Sequence, residues 1–393
     1  MKIPQDILND LVAKAKAYRE HMHQFPELSF EEKNTMEFVA KSLEGIGIPF
    51  TKHFSGTGVV GMIRADHHTE DQPCIGLRSE LDALPILEQT GRTFQSKTEG
   101  VMHACGHDVH TSIHLATAEY LWSVRNSLKD PVKLIFQPGE EKNPGGASIM
   151  VADGVLKNPE VKTMVALHVF PEMEAGKVGF REGLYMASSD EIYITINGKG
   201  GHGAMPHQTV DPIMIGAHLL TGLQQLVSRK CDPKIPCVLT FGHFEALGAT
   251  NVIPDKAILK GTFRTMDETW REEALKMIVS HVNHTCEEFG GTADVKISKG
   301  YPMLFNDAGL TKKMKSAAVS ELGANNVEEL PIRLTSEDFA FYSQQIPTCF
   351  YRLGVGNKEK GITFGVHHPR FDVDDHCFEI GIRTLSKAAF LEE

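Results

Sequence analysis

The 393-residue sequence predicts an α/β fold: a large domain with a central, mostly parallel sheet covered by helices on both faces, interrupted by a smaller ferredoxin-like α+β domain. Three observations predict it. Short apolar runs alternate with helical stretches over residues 1–183, as in a sheet buried on both faces. A β-α-β-β-α-β order fills residues 184–299, and the α/β pattern returns over residues 300–393. A chain of this length also favours two domains over one.

The elements follow in order. Residues 6–22 carry Ile7, Leu8, Leu11, Val12 and Ala15 at helical spacing, and residues 30–46 carry Phe30, Met36, Val39 and Leu43. Pro26 separates the two helices, and Ser29 is placed to cap the second. Apolar runs at 59–63, 74–77, 132–136 and 164–170 read as buried strands, with helices at 110–126 and 145–153 among them. In the middle segment, EIYITING (191–198) alternates with period two, the mark of a half-exposed strand. Asp211 and Pro212 open a helix as N-cap and first residue, and Arg229 and Lys230 suit its C-terminus. Strands at 236–244 and 257–265, a helix at 267–289 and a strand at 292–298 complete that domain. After Tyr301-Pro302 come a helix near 307–322, a strand at 349–353 and a helix at 376–391.

Composition excludes several classes of function. Forty Lys+Arg against 51 Asp+Glu give a net charge of −11 with no basic run, which argues against a nucleic-acid partner. The longest uncharged stretch, Pro212 to Ser228, contains His218, Gln224 and Gln225 and is too polar to span a membrane. The N-terminal residues lack the apolar core of a signal peptide. Seven cysteines, odd in number and without CxxC spacing, read as free thiols in a reducing, cytoplasmic setting.

The chemistry concentrates in MHACGHDVHTSIH (102–114). Cys105 and His107, separated only by Gly106, can converge on one cation in a turn that glycine permits. His110 and His114 read more simply as helix-surface or core residues. FQPGEE (136–141) places Glu140 and Glu141 at the C-terminal mouth of a buried strand, where open α/β sheets bind ligands. Successive side chains of an extended chain diverge, so one carboxylate can bind metal while the other faces a water. His168 ends another buried strand. Glu80 and Asp82 follow the 74–77 run on one side, and Asp82 can orient a ligand or a bridging water. His367 and His368 precede Pro369, and only one of them faces a given site. GKGGHG (198–203) matches GxGxxG, but the helix starts only at Asp211 and no acid stands near residue 220, which excludes a dinucleotide site. Its glycines read instead as a sharp turn that exposes His202.

These segments together resemble a known family. HxxPELSxxE (His23 to Glu32), RxxxDALP (Arg78 to Pro85), MHACGHD (102–108), FQPxEE (136–141), LH (167–168), GGHGAxPHxxxDP (200–212), NVIPDxAxLxGTxR (251–264), SEDF (336–339) and HxPxFDxDD (367–375) are similar to motifs of the M20 metallopeptidases. The match is closest to the subfamily D amidohydrolases, which act on N-acyl amino acids, hippurate and auxin conjugates. The motifs stand in the family's order.

The resemblance implies two divalent metals per chain. Cys105 bridges them, and His107, Glu141, His168 and His367 complete the ligand set. Thiolate and imidazole favour zinc, while the carboxylates and family habit also allow manganese, cobalt or nickel. Glu140 is then the general base that takes a proton from a water between the metals, and Asp82 supports the metal side. His202 stabilises the oxyanion; in relatives the matching histidine comes from the other subunit. A homodimer, or a higher oligomer, is therefore implied, with residues 184–299 as lid and dimerisation domain. Asn251 and Arg264 match substrate-anchoring positions, and Arg264 either clamps a free carboxylate or braces its strand. Where the subfamily reads A-D-M-D-A-L-P, this chain has Ser79-Glu80-Leu81-Asp82, which leaves the first acid's role open.

The implied reaction is hydrolysis of the amide bond of a small N-acyl amino acid, with dipeptidase or carboxypeptidase action on the same scaffold as the rival. Two other classes stay in view. One uses Cys105 as a nucleophile with His107 as base; the other is a metal-stabilised binding module without turnover.

Overall fold

In a computed structural model that describes residues 2–391, the chain divides into two compact units. One comprises Met1–Tyr185, Phe305–Ile332 and Asp338–Glu393; the other comprises Met186–Leu304 and Arg333–Glu337.

The larger unit is built on an eight-stranded sheet, in the order Phe50–Phe54, Gly58–Ile63, Val132–Gln137, Cys74–Glu80, Val161–Glu174, Thr348–Gly356, Val178–Phe180 and Val327–Glu329. The central neighbours, from Val132–Gln137 through Cys74–Glu80 and Val161–Glu174 to Thr348–Gly356, are all parallel. Three of these four strands are buried at every position, which is why the runs at 74–77 and 132–136 read as near-continuous apolar segments instead of alternating ones. The helix His107–Ser123 is buried almost all round because it lies against the strand Cys74–Glu80 and the helices Gln5–Gln24, Lys33–Ile46 and His376–Ser386. It begins earlier than the apolar spacing suggests, directly after Gly106, whose φ of 85° ends the preceding turn.

Three local expectations are corrected. Ser29 does not cap the second helix: that helix starts at Lys33, and the Ser29 hydroxyl donates instead to Asp82 Oδ2 at 2.7 Å. The strand carrying His168 runs on to Glu174, so this histidine lies within a strand and not at its end. The last helix stops at Ser386 and continues only as a 3-10 turn over Lys387–Phe390.

A buried charge network ties the first helix to His107–Ser123. His23 Nδ1 lies 2.8 Å from Asp108 Oδ2, His23 Nε2 lies 3.3 Å from Glu88, and Arg19 bonds Asp108 and Asp372. Burial alone lowers the pKa of His23, but the hydrogen bonds to Asp108 and Glu88 outweigh it and push the imidazole up to about 9. The charged form is thus favoured by folding. Its stabilisation is complete below the ordinary histidine value near 6.5 and disappears as pH rises through about 9. The unfolding free energy, measured by urea denaturation across this window, is expected to fall by up to about 3 kcal/mol, and His23→Gln should flatten the slope.

The smaller unit has a four-stranded antiparallel sheet in the order Cys237–Glu245, Lys256–Thr265, Asp190–Asn197 and Thr292–Lys299, with the helices Pro212–Gln225 and Glu268–Glu288. This is the ferredoxin-like arrangement. Ile192, Ile194 and Ile196 are buried in its core with Leu219, Ile278 and Val282, while the alternate positions Glu191, Tyr193 and Thr195 are less buried. The Asp211 carboxylate accepts from Ile213 N and Met214 N, so the cap and the proline act as read from sequence. The helix then passes into a π-helical turn over Leu226–Lys230. None of the glycines at 198–203 has a positive φ, and Gly198 and Gly200 serve close backbone approach. A Cβ on Gly198 would lie 2.3 Å from Val210 O, and one on Gly200 would lie 2.5 Å from Ile253 O.

Candidate metal centre

The candidate centre lies in the larger unit, where several chain segments meet at the C-terminal ends of parallel strands. Gly106 makes the first turn possible. At φ of 85° it can carry no ordinary side chain, and a Cβ would lie 2.6 Å from Val169 Cγ2. With glycine there, Cys105 and His107 face the same space. Cys105 Sγ is 3.4 Å from His168 Nε2, and Cys105, His107 and His168 offer ligand atoms all within 4.8 Å of one another. A second group shares the same sulfur: Cys105, Glu141 and His367 also lie within 4.8 Å. His107 forms a third such group with Glu140 and Glu141. A thiol common to two three-residue groups is the arrangement a bridging ligand requires.

Four of the five ligand candidates are aimed by a neighbour. Asp82 holds two of them: its Oδ1 lies 3.2 Å from His107 Nδ1, and its Oδ2 accepts from Glu141 N at 2.9 Å and from Ser29. His107 Nε2 is thereby turned away from Asp82, and it is buried without a hydrogen-bond partner among the described residues. His168 bonds the Val169 carbonyl through Nδ1 at 2.8 Å, leaving Nε2 toward Cys105. His367 has φ of 64°, a conformation non-glycine residues rarely adopt, and its N–H is fixed to Ala104 O at 2.8 Å. Its Nε2 lies 3.1 Å from Glu141 Oε1.

The electrostatics suit a cation. Burial lowers the pKa of His107, but the hydrogen bond to Asp82 and the nearby charges of Glu80, Asp82 and Glu141 push it up to about 10. The surrounding carboxylates therefore favour positive charge at this point, which a divalent ion supplies while displacing the proton. His168 is held well below the ordinary histidine range, mainly by burial and by Arg352, and so is a neutral donor. An orphaned, buried imidazole nitrogen and a shared thiol among imidazoles and carboxylates fit two divalent cations.

Glu140 is buried beside this cluster, with Oε1 accepting from Asp338 N at 3.3 Å. Glu32, quoted from sequence only as part of a motif, accepts the N–H of Gly139 at 2.8 Å and so anchors the turn that presents Glu140. Arg78, Gln137 and Asp338 brace the same strand ends: Arg78 donates to Gln137 at 3.0 Å, to Asp338 at 2.6 Å, and to Glu80. Each of the three lies inside a quoted motif, but the pairing of Arg78 with Gln137 and Asp338, 59 and 260 positions away, has no local signal in the sequence.

His202, Asn251 and Arg264 belong to the smaller unit. His202 and Asn251 are exposed and sit together, since Gly201–His202 pairs with Val252–Ile253 and Gly203 N donates to Asn251 O at 2.8 Å. Arg264 is partly buried and donates to Ser336 Oγ at 2.8 Å. All seven cysteines are free thiols. Among the described residues, no helix is long and apolar enough to cross a membrane.

Comparison with known proteins agrees with this geometry. The profile of Peptidase family M20/M25/M40 matches residues 76–390. The N-acetyl-L-cysteine deacetylase of Bacillus subtilis is 36% identical over 368 residues, covering 94% of this chain and 85% of that protein. The IAA-amino acid hydrolase ILR1-like 5 of Arabidopsis thaliana is 37% identical over 376 residues, with 94% and 85% covered. The crystal structure of Bacillus subtilis YXEP, described as a dinuclear metal binding peptidase from the M20 family, superposes with a TM-score of 0.83 at 31% identity, covering 97% of this chain and 98% of that one. By profile, sequence and fold, the chain belongs to peptidase family M20/M25/M40 and is a metal-dependent hydrolase.

Proposed function

We propose that this hydrolase cleaves the amide bond of small N-acyl amino acids, releasing a carboxylate and a free amino acid. The observation that carries this reading is Glu140, a buried carboxylate set against the Cys105-centred cluster, in a chain related to hydrolases named for N-acyl amino acid substrates. Cys105 would be the shared ligand, and His107, Glu141, His168 and His367 would complete the two sites. Zinc or manganese suits this mixed donor set.

When bound, such cations polarise the amide carbonyl and make an attacking water more acidic. The remaining steps fall to the protein. Glu140 removes the proton of the attacking water and returns it to the departing amine nitrogen. Asp82 keeps His107 and the Glu141 backbone in register while this happens. His202 donates to the developing oxyanion, and Asn251 with Arg264 receives the carboxylate of the amino-acid half. In this reading the smaller unit is a lid that also dimerises, and the enzyme works in the cytoplasm as a homodimer.

A panel of acetyl, benzoyl, indolyl and aminobenzoyl amino acids, assayed beside dipeptides and carboxypeptidase substrates on zinc- or manganese-loaded protein, tests the substrate class. Acyl amino acids are expected to be turned over with the higher kcat/KM. Preference for peptides with a free α-amino group would overturn the assignment.

A further inference from the structure

Glu80 is the acid whose role the sequence leaves open, and His110 has no part in the proposed ligand set. The structure joins them. His110 Nδ1 lies 2.8 Å from Glu80 Oε2, and His110 Nε2 accepts the N–H of Val169 at 2.9 Å. The second contact follows from strand lengths. The strand Cys74–Glu80 pairs with Val161–Glu174 only as far as Arg78 opposite Ala166, so the longer strand outruns its neighbour before reaching Val169. A backbone N–H buried beyond the end of its ladder needs another acceptor, and the imidazole supplies it.

That acceptor role dictates the rest. With Nε2 accepting, the neutral imidazole carries its proton on Nδ1 and donates to Glu80. Glu80 is itself fixed, because Arg78 bonds its other oxygen and Asp338 together, and Thr111 donates to the Glu80 carbonyl at 2.7 Å. Val169 follows the metal-ligand candidate His168, whose Nδ1 bonds the Val169 carbonyl at 2.8 Å, and the rings of His110 and His168 lie 4.7 Å apart. Glu80, His107 and His110 also come within 4.8 Å as a possible cation group. Both nitrogens of His110 and both oxygens of Glu80 are already committed to protein partners, so this group reads as a hydrogen-bonded support.

We propose that Glu80 and His110 form a positioning pair, which clamps the backbone at Val169 and thereby aims His168 at one of the two cation sites. The inference rests on the metal-dependent reading above. Leucine at position 110 removes donor and acceptor together, whereas glutamine offers both at nearly the separation of the two imidazole nitrogens.

The test is stepwise zinc binding to the chelator-stripped, full-length protein, measured against a competing chromophoric chelator. His110→Leu is expected to weaken one of the two binding steps about 10-fold or more and to leave the other unchanged, with His110→Gln restoring most of the loss. Both steps unchanged in folded His110→Leu, or glutamine no better than leucine, would overturn the pair while leaving the hydrolase assignment standing. Absence of zinc binding to the wild-type protein would remove both. Long-range ¹⁵N NMR of the wild-type histidines tests the geometry without any variant: His110 should be the Nδ1–H tautomer, and an Nε2–H or doubly protonated ring contradicts the clamp.

Discussion

Glu140→Gln is expected to lower kcat by about 10²–10⁴-fold while the protein keeps its full metal content, the range typical of losing a general base. The substitution changes charge and proton affinity but little else. An amide oxygen at the same place can still accept from Asp338 N, now 3.3 Å from Glu140 Oε1, so the turn should hold its shape. Glutamine cannot take the proton of an attacking water or return one to the leaving nitrogen. If Glu140 were instead a metal ligand, the same variant would lose metal, and KM and metal content would change together. If the protein only bound its ligand, binding would be unaffected and there would be no turnover to lose. Turnover and metal analysis on one preparation separate these outcomes.

Arg78→Met is expected to destabilise the larger unit by about 3–5 kcal/mol, read from its urea unfolding midpoint. The Arg78 side chain is fully buried and is shared between Glu80 and Asp338, with Gln137 as a third acceptor. Burial raises the pKa of Glu80, but the charge of Arg78 and the hydrogen bond from His110 hold this carboxyl well below the usual range, so it remains ionised. Methionine fills much of the volume but leaves two buried carboxylates facing each other's charge, and uncompensated buried charge is the costly case. Adding Glu80→Gln and Asp338→Asn should recover part of the loss. A variant as stable as wild type would show that the network contributes nothing beyond packing.

The sequence and the structure agree where a residue's role depends on its near neighbours. The Asp211–Pro212 helix start, the period-two strand at Ile192, Ile194 and Ile196, and the turn at Gly106 are each determined within a few positions, and each stands as read. The grouping of Cys105, His107, Glu141, His168 and His367 was legible only through motif order, since no local pattern says that positions 105 and 367 meet. What stayed hidden depends on distant partners. Ser29 looked like a helix cap because it precedes a helix, yet its hydroxyl is drawn to Asp82, 53 positions away. His110 is the buried helix residue it reads as, but nothing nearby reveals that one strand outruns another and leaves the Val169 N–H for it to satisfy. Glu80 could not be interpreted from sequence because, beyond its strand neighbour Arg78, its partner His110 and the Asp338 that shares Arg78 become visible only in the fold.

The most direct test of the metal-dependent reaction is metal content measured by mass spectrometry alongside acyl amino acid hydrolysis, on protein stripped with chelator and then reloaded stepwise. Stripped protein should be inactive, and activity should return as metal approaches two equivalents per chain, with Cys105→Ala failing to recover either. Hydrolysis that survives complete stripping but is abolished by thiol alkylation would instead identify Cys105 as a nucleophile and contradict a metal-dependent reaction.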